Sequence, residues 1–347
     1  MKIGVSIFSG LKEYNLESSL EYLKCAYEHG AEMMFTSAHI NEADKSIDDL
    51  NIIIEKAYEY GIKVVIDVSK NAYENLNLSD KVFCYRLDYG FSDEEIVELS
   101  KSGKHYIELN ASTLSKEKLE KYLSMGLNIE RTRASFNYYP KLYTAHSIGD
   151  AIKKVRMFKE FGIGVSAFLP SFYGKRPPMY EGLPSIEMHR NQELAISIEE
   201  LKAIGVSEIY FGDAYASVDE IKLLESHNKD DIVLDVELNV IDENIISYLN
   251  SILRLRPDYN DYLLRFGKTK QTNIENIKYQ GKRKKFDLTI DNILFKRYSG
   301  EINLVIDELP YEERVNVIGS VKCSDLIVNN IKEKGYVKLN IINSYDK

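Results

Sequence analysis

The chain has 347 residues, with 45 lysines and arginines against 54 aspartates and glutamates, which leaves a formal net charge of −9. That acidic balance excludes the basic footprint of a nucleic-acid partner. At 44% hydrophobic and 29% charged residues, with only 7 prolines and 19 glycines, the composition is that of a globular protein with a sizeable core, not of a disordered or collagen-like chain.

The chain opens MKIGVSIFSG, a β-rich run (Lys2–Ile7) without the apolar block and cleavage site of a secretory signal. No later run approaches the roughly 20 apolar residues of a membrane helix, so a cytoplasmic chain with no membrane partner is expected. Further β-rich runs lie at Met33–Ser37, Val64–Val68, Phe83–Asp88, Tyr106–Asn110, Ile129–Ala134, Gly164–Leu169 and Glu208–Asp213. Helix-period stretches alternate with them, at Leu16–Gly30, Asp48–Gly61, Asp93–Gly103, Lys116–Gly126, Gly149–Gly162 and Ile186–Gly205. Each reaches a glycine where a left-handed C-cap sits. Eight such units in roughly 220 residues predict a (β/α)8 TIM barrel, typically about 250 residues long. The rival, a doubly wound open sheet, lacks its phosphate loop: Gly162-x-Gly164 precedes a strand instead of opening a helix.

After about Asp219 the pattern changes. Asp231–Val240 and Tyr262–Phe266 read as strands, followed by a polar, Lys-rich stretch from Lys268 to Lys285. Strands return at Phe286–Ile290, Ile302–Ile306, Val315–Val321 and Tyr336–Ile341, with Asp307–Pro310 as a loop. Strands without long helices between them predict a small, mostly antiparallel second domain. The expected division is a barrel over residues 1–225 and a β domain over 231–347. Cys25, Cys84 and Cys323 are too widely spaced for a disulfide framework or a zinc knuckle.

Barrel enzymes work at the C-terminal ends of their strands, and several ends here are polar. Asp67 and Ser69 share one face of the third strand, Arg86 and Asp88 one face of the fourth, and Glu108 and Asn110 one face of the fifth, while the eighth ends in Asp213. A charge inside a strand needs a partner, so Arg86 is expected to pair with Asp88 or Glu108. Each carboxylate taken alone is equally a structural counter-ion, but convergence of several is what acid–base work on a sugar or carbonyl requires. The stretch from Ser171 to Pro184 exceeds the usual 2–6 residues of such loops. It carries Lys175 and Arg176, suited to a phosphate or carboxylate, together with Tyr180 and Glu181; Arg190 follows it. Asn137 and Tyr138, after the sixth strand, suit either sugar stacking or packing. His39 with Glu42, and His189 with Glu193, have helical spacing but no HExxH pattern, and no metal is expected.

These residues carry a resemblance. FTSAHI (Phe35–Ile40), RLDYGFS (Arg86–Ser92), LNAST (Leu109–Thr113), NYYP (Asn137–Pro140), PMYEGLPSIEMHR (Pro178–Arg190) and YFGD (Tyr210–Asp213) together resemble the bacterial 6-phospho-N-acetylmuramidases. RPDYNDYLLR (Arg256–Arg265) and FDLTIDN (Phe286–Asn292) continue it more loosely. The resemblance implies an N-terminal TIM barrel and a C-terminal cyclophilin-like β domain. It implies cytoplasmic hydrolysis of the β-1,4 bond of a MurNAc 6-phosphate–GlcNAc disaccharide during peptidoglycan recycling, with no cofactor. Asp67, Asp88, Asn110 and Asp213 stand where the family pattern has them, whereas Glu108 does not belong to it. The departures are His39-Ile-Asn41-Glu42 in place of HIPE, DVSKNA in place of a DISGEA-like form, and Ala214 in place of proline. Asp88 and Asp67 are the preferred catalytic pair, with Asp213 third. Arg86, Asn110, Asn137, Tyr138, Lys175, Arg176, Tyr180, Glu181 and Arg190 are expected to bind substrate. The other class in view is a phosphosugar-binding barrel, isomerase or aldolase, although a Schiff-base aldolase would want a lysine near an inner strand end. The oligomeric state stays open, a homo-oligomer included.

Overall fold

Short runs of β-branched and aromatic residues lie side by side at the centre of the N-terminal part of the chain, and helices cover their outer face. The computed structural model describes residues 1–38, 47–75, 77–239, 242–268, 273–278 and 281–342. It divides into two units, Met1–Asn228 and Lys229–Lys347. In the first, β1 (Lys2–Ser6), β2 (Met33–Ser37), β3 (Lys63–Val68), β4 (Cys84–Leu87), β5 (Tyr106–Asn110), β6 (Thr132–Ser135), β7 (Val165–Leu169) and β8 (Glu208–Phe211) form a closed, all-parallel barrel in chain order. The outer helices are α1 (Leu16–Glu28), α2 (Ile47–Glu59), α3 (Lys70–Asn75), α4 (Asp93–Lys101), α5 (Lys116–Ser124), α6 (Ile148–Glu160), α7 (Leu194–Ile204) and α8 (Val218–Ser226). Serine side chains at Ser92, Ser115, Ser147 and Ser217 accept the orphan N–H groups that open α4, α5, α6 and α8. The glycine stops read from the sequence take positive φ, as a left-handed end requires.

Two elements differ from expectation. Ile129–Ala134 is not one strand: Ile129–Arg131 forms a 3₁₀ turn, and pairing begins at Thr132. The β-branched Ile129 is partly exposed there, and Arg131 N–H donates to Asn128. Ile186–Gly205 is likewise broken, into a 3₁₀ turn at Glu187–Arg190 and α7, because the Arg190 side chain turns back onto the preceding loop. Residues 39–46, with His39 and Glu42, lie outside the described residues.

The barrel interior has two halves of opposite character. On one side a row of charges runs across four neighbouring strands, Asp67 beside Arg86, Arg86 beside Glu108, and Glu108 beside Arg133. Arg86 pairs with Asp67 at 2.7 Å and approaches Asp88 only to 3.9 Å, while Glu108 belongs to Arg133 at 3.4 Å. Arg86 thus meets Asp88 as expected, while its short bond goes to Asp67, which lies opposite it in the ladder, and the Glu108 alternative is taken up by Arg133. Arg133 also forms a two-pronged pair with Glu208, which accepts from the hydroxyls of Ser166 and Tyr210. The other half is aromatic. Phe35, Phe168 and Tyr210 fill it, with Phe35 edge-on to Phe168 at 5.0 Å. Gly4 is the position that makes room, since a Cβ there would meet the Tyr210 ring at 2.2 Å.

The second unit contains β9 (Val233–Leu238), α9 (Glu243–Leu249), β10 (Leu253–Arg254), β11 (Leu263–Lys268), β12 (Asp287–Asp291), β13 (Glu301–Val305), β14 (Val315–Val321), α10 (Asp325–Lys334) and β15 (Tyr336–Ile342). They form a seven-stranded sheet in the order β10-β15-β9-β14-β12-β13-β11. All neighbours are antiparallel except β9 and β15. Val240, the end of the first expected strand, and parts of the Lys-rich stretch (269–272, 279–280) lie outside the described residues.

The charged half makes a quantitative demand. Replacing Arg133 with Met leaves the buried Glu108 without an ion pair among the described residues and Glu208 with the Lys2 amine at 3.7 Å, which costs about 3–5 kcal/mol. Urea unfolding of Arg133→Met should show a loss of that order; a loss below about 1 kcal/mol would mean that the pair is dispensable.

Candidate active site

The C-terminal ends of the barrel strands bring polar side chains to one face. Arg86, at the end of β4, is almost fully buried and uses its guanidinium as a hub. It donates from Nη1 to Asp67 Oδ1 at 2.7 Å, from Nε to Ser135 Oγ at 2.8 Å and from Nη2 to Asn137 Oδ1 at 2.5 Å. Burial works against its charge, but Asp67 and the other carboxylates outweigh that and hold it above the ordinary arginine value. Asp88, just beyond the strand, is exposed and meets the same nitrogen at 3.9 Å. Asp67 and Asp88 therefore flank one guanidinium, the first enclosed and the second open to solvent.

Asn110, at the end of β5, accepts the N–H of Ser112, whose hydroxyl in turn accepts the N–H of Asn137. It shapes the turn that carries Asn137. Tyr138 lies next to this cluster. Its ring packs edge-on against Phe8, Phe35 and Phe168. Burial above all raises its phenol. It is a wall of the site, not an open stacking platform, because Arg176 covers it: the Arg176 guanidinium lies 5.1 Å from the Tyr138 ring and 4.8 Å from that of Phe8. Nη1 of Arg176 donates to the Tyr138 hydroxyl at 3.3 Å. Arg176 is only 8% exposed, yet it forms no ion pair among the described residues. Lys175 is partly exposed and Tyr180 half exposed, its hydroxyl donating to Glu13 at 2.6 Å.

Two expected site residues are consumed by the loop itself. Asp213 is 0% exposed, and its carboxylate accepts the N–H groups of Ser171 and Arg176 at 2.9 Å and of Leu183 at 3.1 Å. Burial pushes its carboxyl up, against the pull of those three donors. It folds the loop after β7 around itself, which sets it apart from Asp67 and Asp88 at the strand ends. Arg190 is equally committed, bonded to the Glu187 carboxylate and to the carbonyls of Tyr139, Lys141, Glu181 and Gly182. It has no donor to offer a phosphate, and Glu181 enters the site through its carbonyl as an anchor for Arg190. Phe8 and Ser135 were missed by the sequence reading. Phe8 could have been found, since it stands just past the end of β1. His189, expected near Glu193, pairs instead with Glu200 at 3.1 Å.

Residues 3–226 match the model of the N-terminal part of 6-phospho-N-acetylmuramidase, and residues 232–340 that of its C-terminal part. The chain belongs to the 6-phospho-N-acetylmuramidase family. Among solved structures, this family member is similar to an uncharacterized B. cereus protein, with a TM-score of 0.83 at 23% identity, covering 98% of this chain and 99% of that one. A conserved Enterococcus faecalis protein of unknown function gives 0.75 at 25% identity, covering 99% and 97%. No curated protein matches. Among the described residues of this muramidase-family chain, no helix is long and apolar enough to cross a membrane.

The clamp at Glu187 gives this part of the barrel a pH signature. Its carboxyl is pulled down to about 2, first by Arg190 and further by the N–H groups of Tyr143 and Ala145. A depressed carboxylate contributes stability that is fully present above its unfolded value, about 4.5, and is lost as pH falls toward 2; here that is at most about 3 kcal/mol. In urea unfolding, the deficit of Glu187→Gln relative to wild type should therefore be large at pH 7 and shrink by pH 3. An equal deficit at both would remove the carboxylate as its source.

Proposed function

We propose that the chain is a glycoside hydrolase, a cytoplasmic 6-phospho-N-acetylmuramidase that cleaves the β-1,4 bond of MurNAc 6-phosphate–GlcNAc during peptidoglycan recycling. Family membership supports the substrate class. One observation on this chain carries the reading furthest: Arg176, a nearly buried guanidinium seated between two aromatic rings at the strand ends, with no carboxylate at ion-pair distance among the described residues. A buried cation of this kind calls for an anion, and a guanidinium grips two phosphate oxygens at once. A dianionic sugar needs such local positive charge, because the protein as a whole carries −9. Lys175 stands beside it in the chain as a weaker, partly exposed second cation.

Hydrolysis then rests on Asp67 and Asp88. Glycosidases set two carboxyl groups about 5–5.5 Å apart for retention or about 6.5–9.5 Å for inversion, and Asp67 and Asp88, at 2.7 and 3.9 Å from one arginine nitrogen, are proposed as that pair. Asp67, locked to Arg86, suits the permanently ionised role opposite the developing positive charge of the sugar. Asp88, open to water and more loosely held, suits proton exchange with the leaving oxygen. Asn137 and Asn110 hold the sugar-facing turns, and Tyr180 and Glu181 the rim. On this reading the barrel is the catalytic unit, and the second unit, a mostly antiparallel sheet, is proposed to be cyclophilin-like. A phosphosugar-binding protein without turnover would use Arg176 in the same way, so turnover decides between the two.

Asp88→Asn should lower kcat on the phosphorylated disaccharide by about 10²–10⁴-fold, the usual contribution of a proton-transfer group. Because Asp88 is exposed, the variant should melt like wild type; near-normal turnover in a folded variant would sink the assignment. Arg176→Ala should erase most of the preference for the phosphorylated over the unphosphorylated disaccharide, measured as a ratio of kcat/KM. A preserved ratio would put the phosphate elsewhere.

A further inference from the structure

The outer wall of the barrel is thin at one place. α3 has 6 residues where α2 has 13 and α4 has 9, and at roughly 1.5 Å per residue it covers only about 9 Å of the strands beneath it. Beside it, between α3 and α4, lies a groove of about 390 Å³. Small-molecule sites usually measure about 300–1,000 Å³.

The groove joins apolar walls to acidic groups. Tyr73 from α3, Phe91 from the turn before α4 and Leu99 from α4 line it, each partly exposed. Tyr73 stands edge-on to Phe91 at 5.9 Å and to the buried Tyr85 at 5.0 Å, so the walls are in place before a ligand arrives. Glu74, Glu95 and Glu98 complete the lining against one cation, Lys70. Lys70 shows what these carboxylates accept. Its ammonium bridges the two helices at one end of the groove, 2.5 Å from Glu95 and 3.7 Å from Glu74.

Glu98 lies one helical turn further along α4, toward Ser102 at the C-cap. Its ion pair among the described residues is with Lys101 at 3.0 Å, where the two side chains are 73% and 41% exposed. Such a surface pair is worth little and exchanges readily for another cation. The negative end of the α4 dipole also favours a cation there. An anion would meet three carboxylates. An ammonium on an apolar stem matches each part of the groove, with its charge at Glu98 and its methylenes against the rings.

We propose that this groove binds a small aliphatic amine, its ammonium at Glu98 and its stem against Leu99, Tyr73 and Phe91. The site lies apart from the candidate active site and does not depend on the proposed reaction. The probe is n-hexylammonium, titrated against the full chain by calorimetry and NMR, with n-hexanol as the uncharged match of its stem. Wild type should bind hexylammonium about tenfold more tightly than hexanol, the gain of a charge-assisted contact. Glu98→Lys should abolish that preference, and Phe91→Ala should weaken both ligands alike. Glu98 is mostly exposed, so its variant keeps the fold, which thermal melting checks, and the comparison of the two ligands on wild type needs no variant. No binding of hexylammonium at millimolar concentration, equal affinity for the two ligands, or a preference that survives Glu98→Lys overturns the proposal.

Discussion

A guanidinium enclosed by a β-barrel must be neutralised where it stands, and the Arg86–Asp67 pair is the arrangement on which the rest of this barrel depends. Stripping water from each ion costs several kcal/mol, recovered only if geometry and remaining hydrogen bonds are good. Arg86 meets that condition by engaging Asp67, Ser135 and Asn137 at once. The pair also fixes register. A one-residue slip of β3 against β4 would turn Asp67 away from Arg86 and leave both charges unmatched. Deeper in the barrel Arg133 imposes the same discipline on β5, β6 and β8 through Glu108 and Glu208. The charged wall stands opposite an aromatic one, so the strand ends deliver carboxylates on one side of the mouth and ring faces on the other.

The loop after β7 extends this logic beyond the strands. It is long and largely without regular structure, yet two buried charges organise it. Asp213 gathers three N–H groups from inside and Arg190 gathers carbonyls from its far end. Both are satisfied by the chain. Arg176, whose N–H is one of those held by Asp213, is a buried charged side chain that the loop holds without an ion pair among the described residues. Backbone order from one carboxylate thus becomes side-chain position at the mouth.

Most of the barrel was legible because its signals are local. Alternating β-rich runs and helix-period stretches ending in glycine gave each of the eight strands to within a few residues. The failures came where tertiary contacts decide. Ile129 looks like strand but heads a 3₁₀ turn, and Ile186–Gly205 looks like one helix but breaks where Arg190 doubles back. In the site, Asp67, Arg86 and Asp88 could be read from their places at strand ends. Arg176 and Arg190 could not be told apart, since nothing local says which arginine will find six oxygens and which two rings. Asp213 gives no local sign either of the backbone that wraps it, since the three N–H groups it gathers come from residues 30 to 42 positions away in the chain.

Seating Arg176 against Phe8 and Tyr138 has a thermodynamic consequence for the ligand-free protein. A planar cation held in advance between rings has already lost its rotamer freedom, so little ordering is left to oppose the arrival of an anion. The cost is carried by the free fold, which keeps a nearly buried positive charge between two ring faces, with the Asp213 carboxylate acting on it from behind the loop. Folding and binding are therefore linked at this side chain. Should Arg176 hold the anion proposed for it, that ligand would draw the population further toward the folded state as its concentration rises above its Kd.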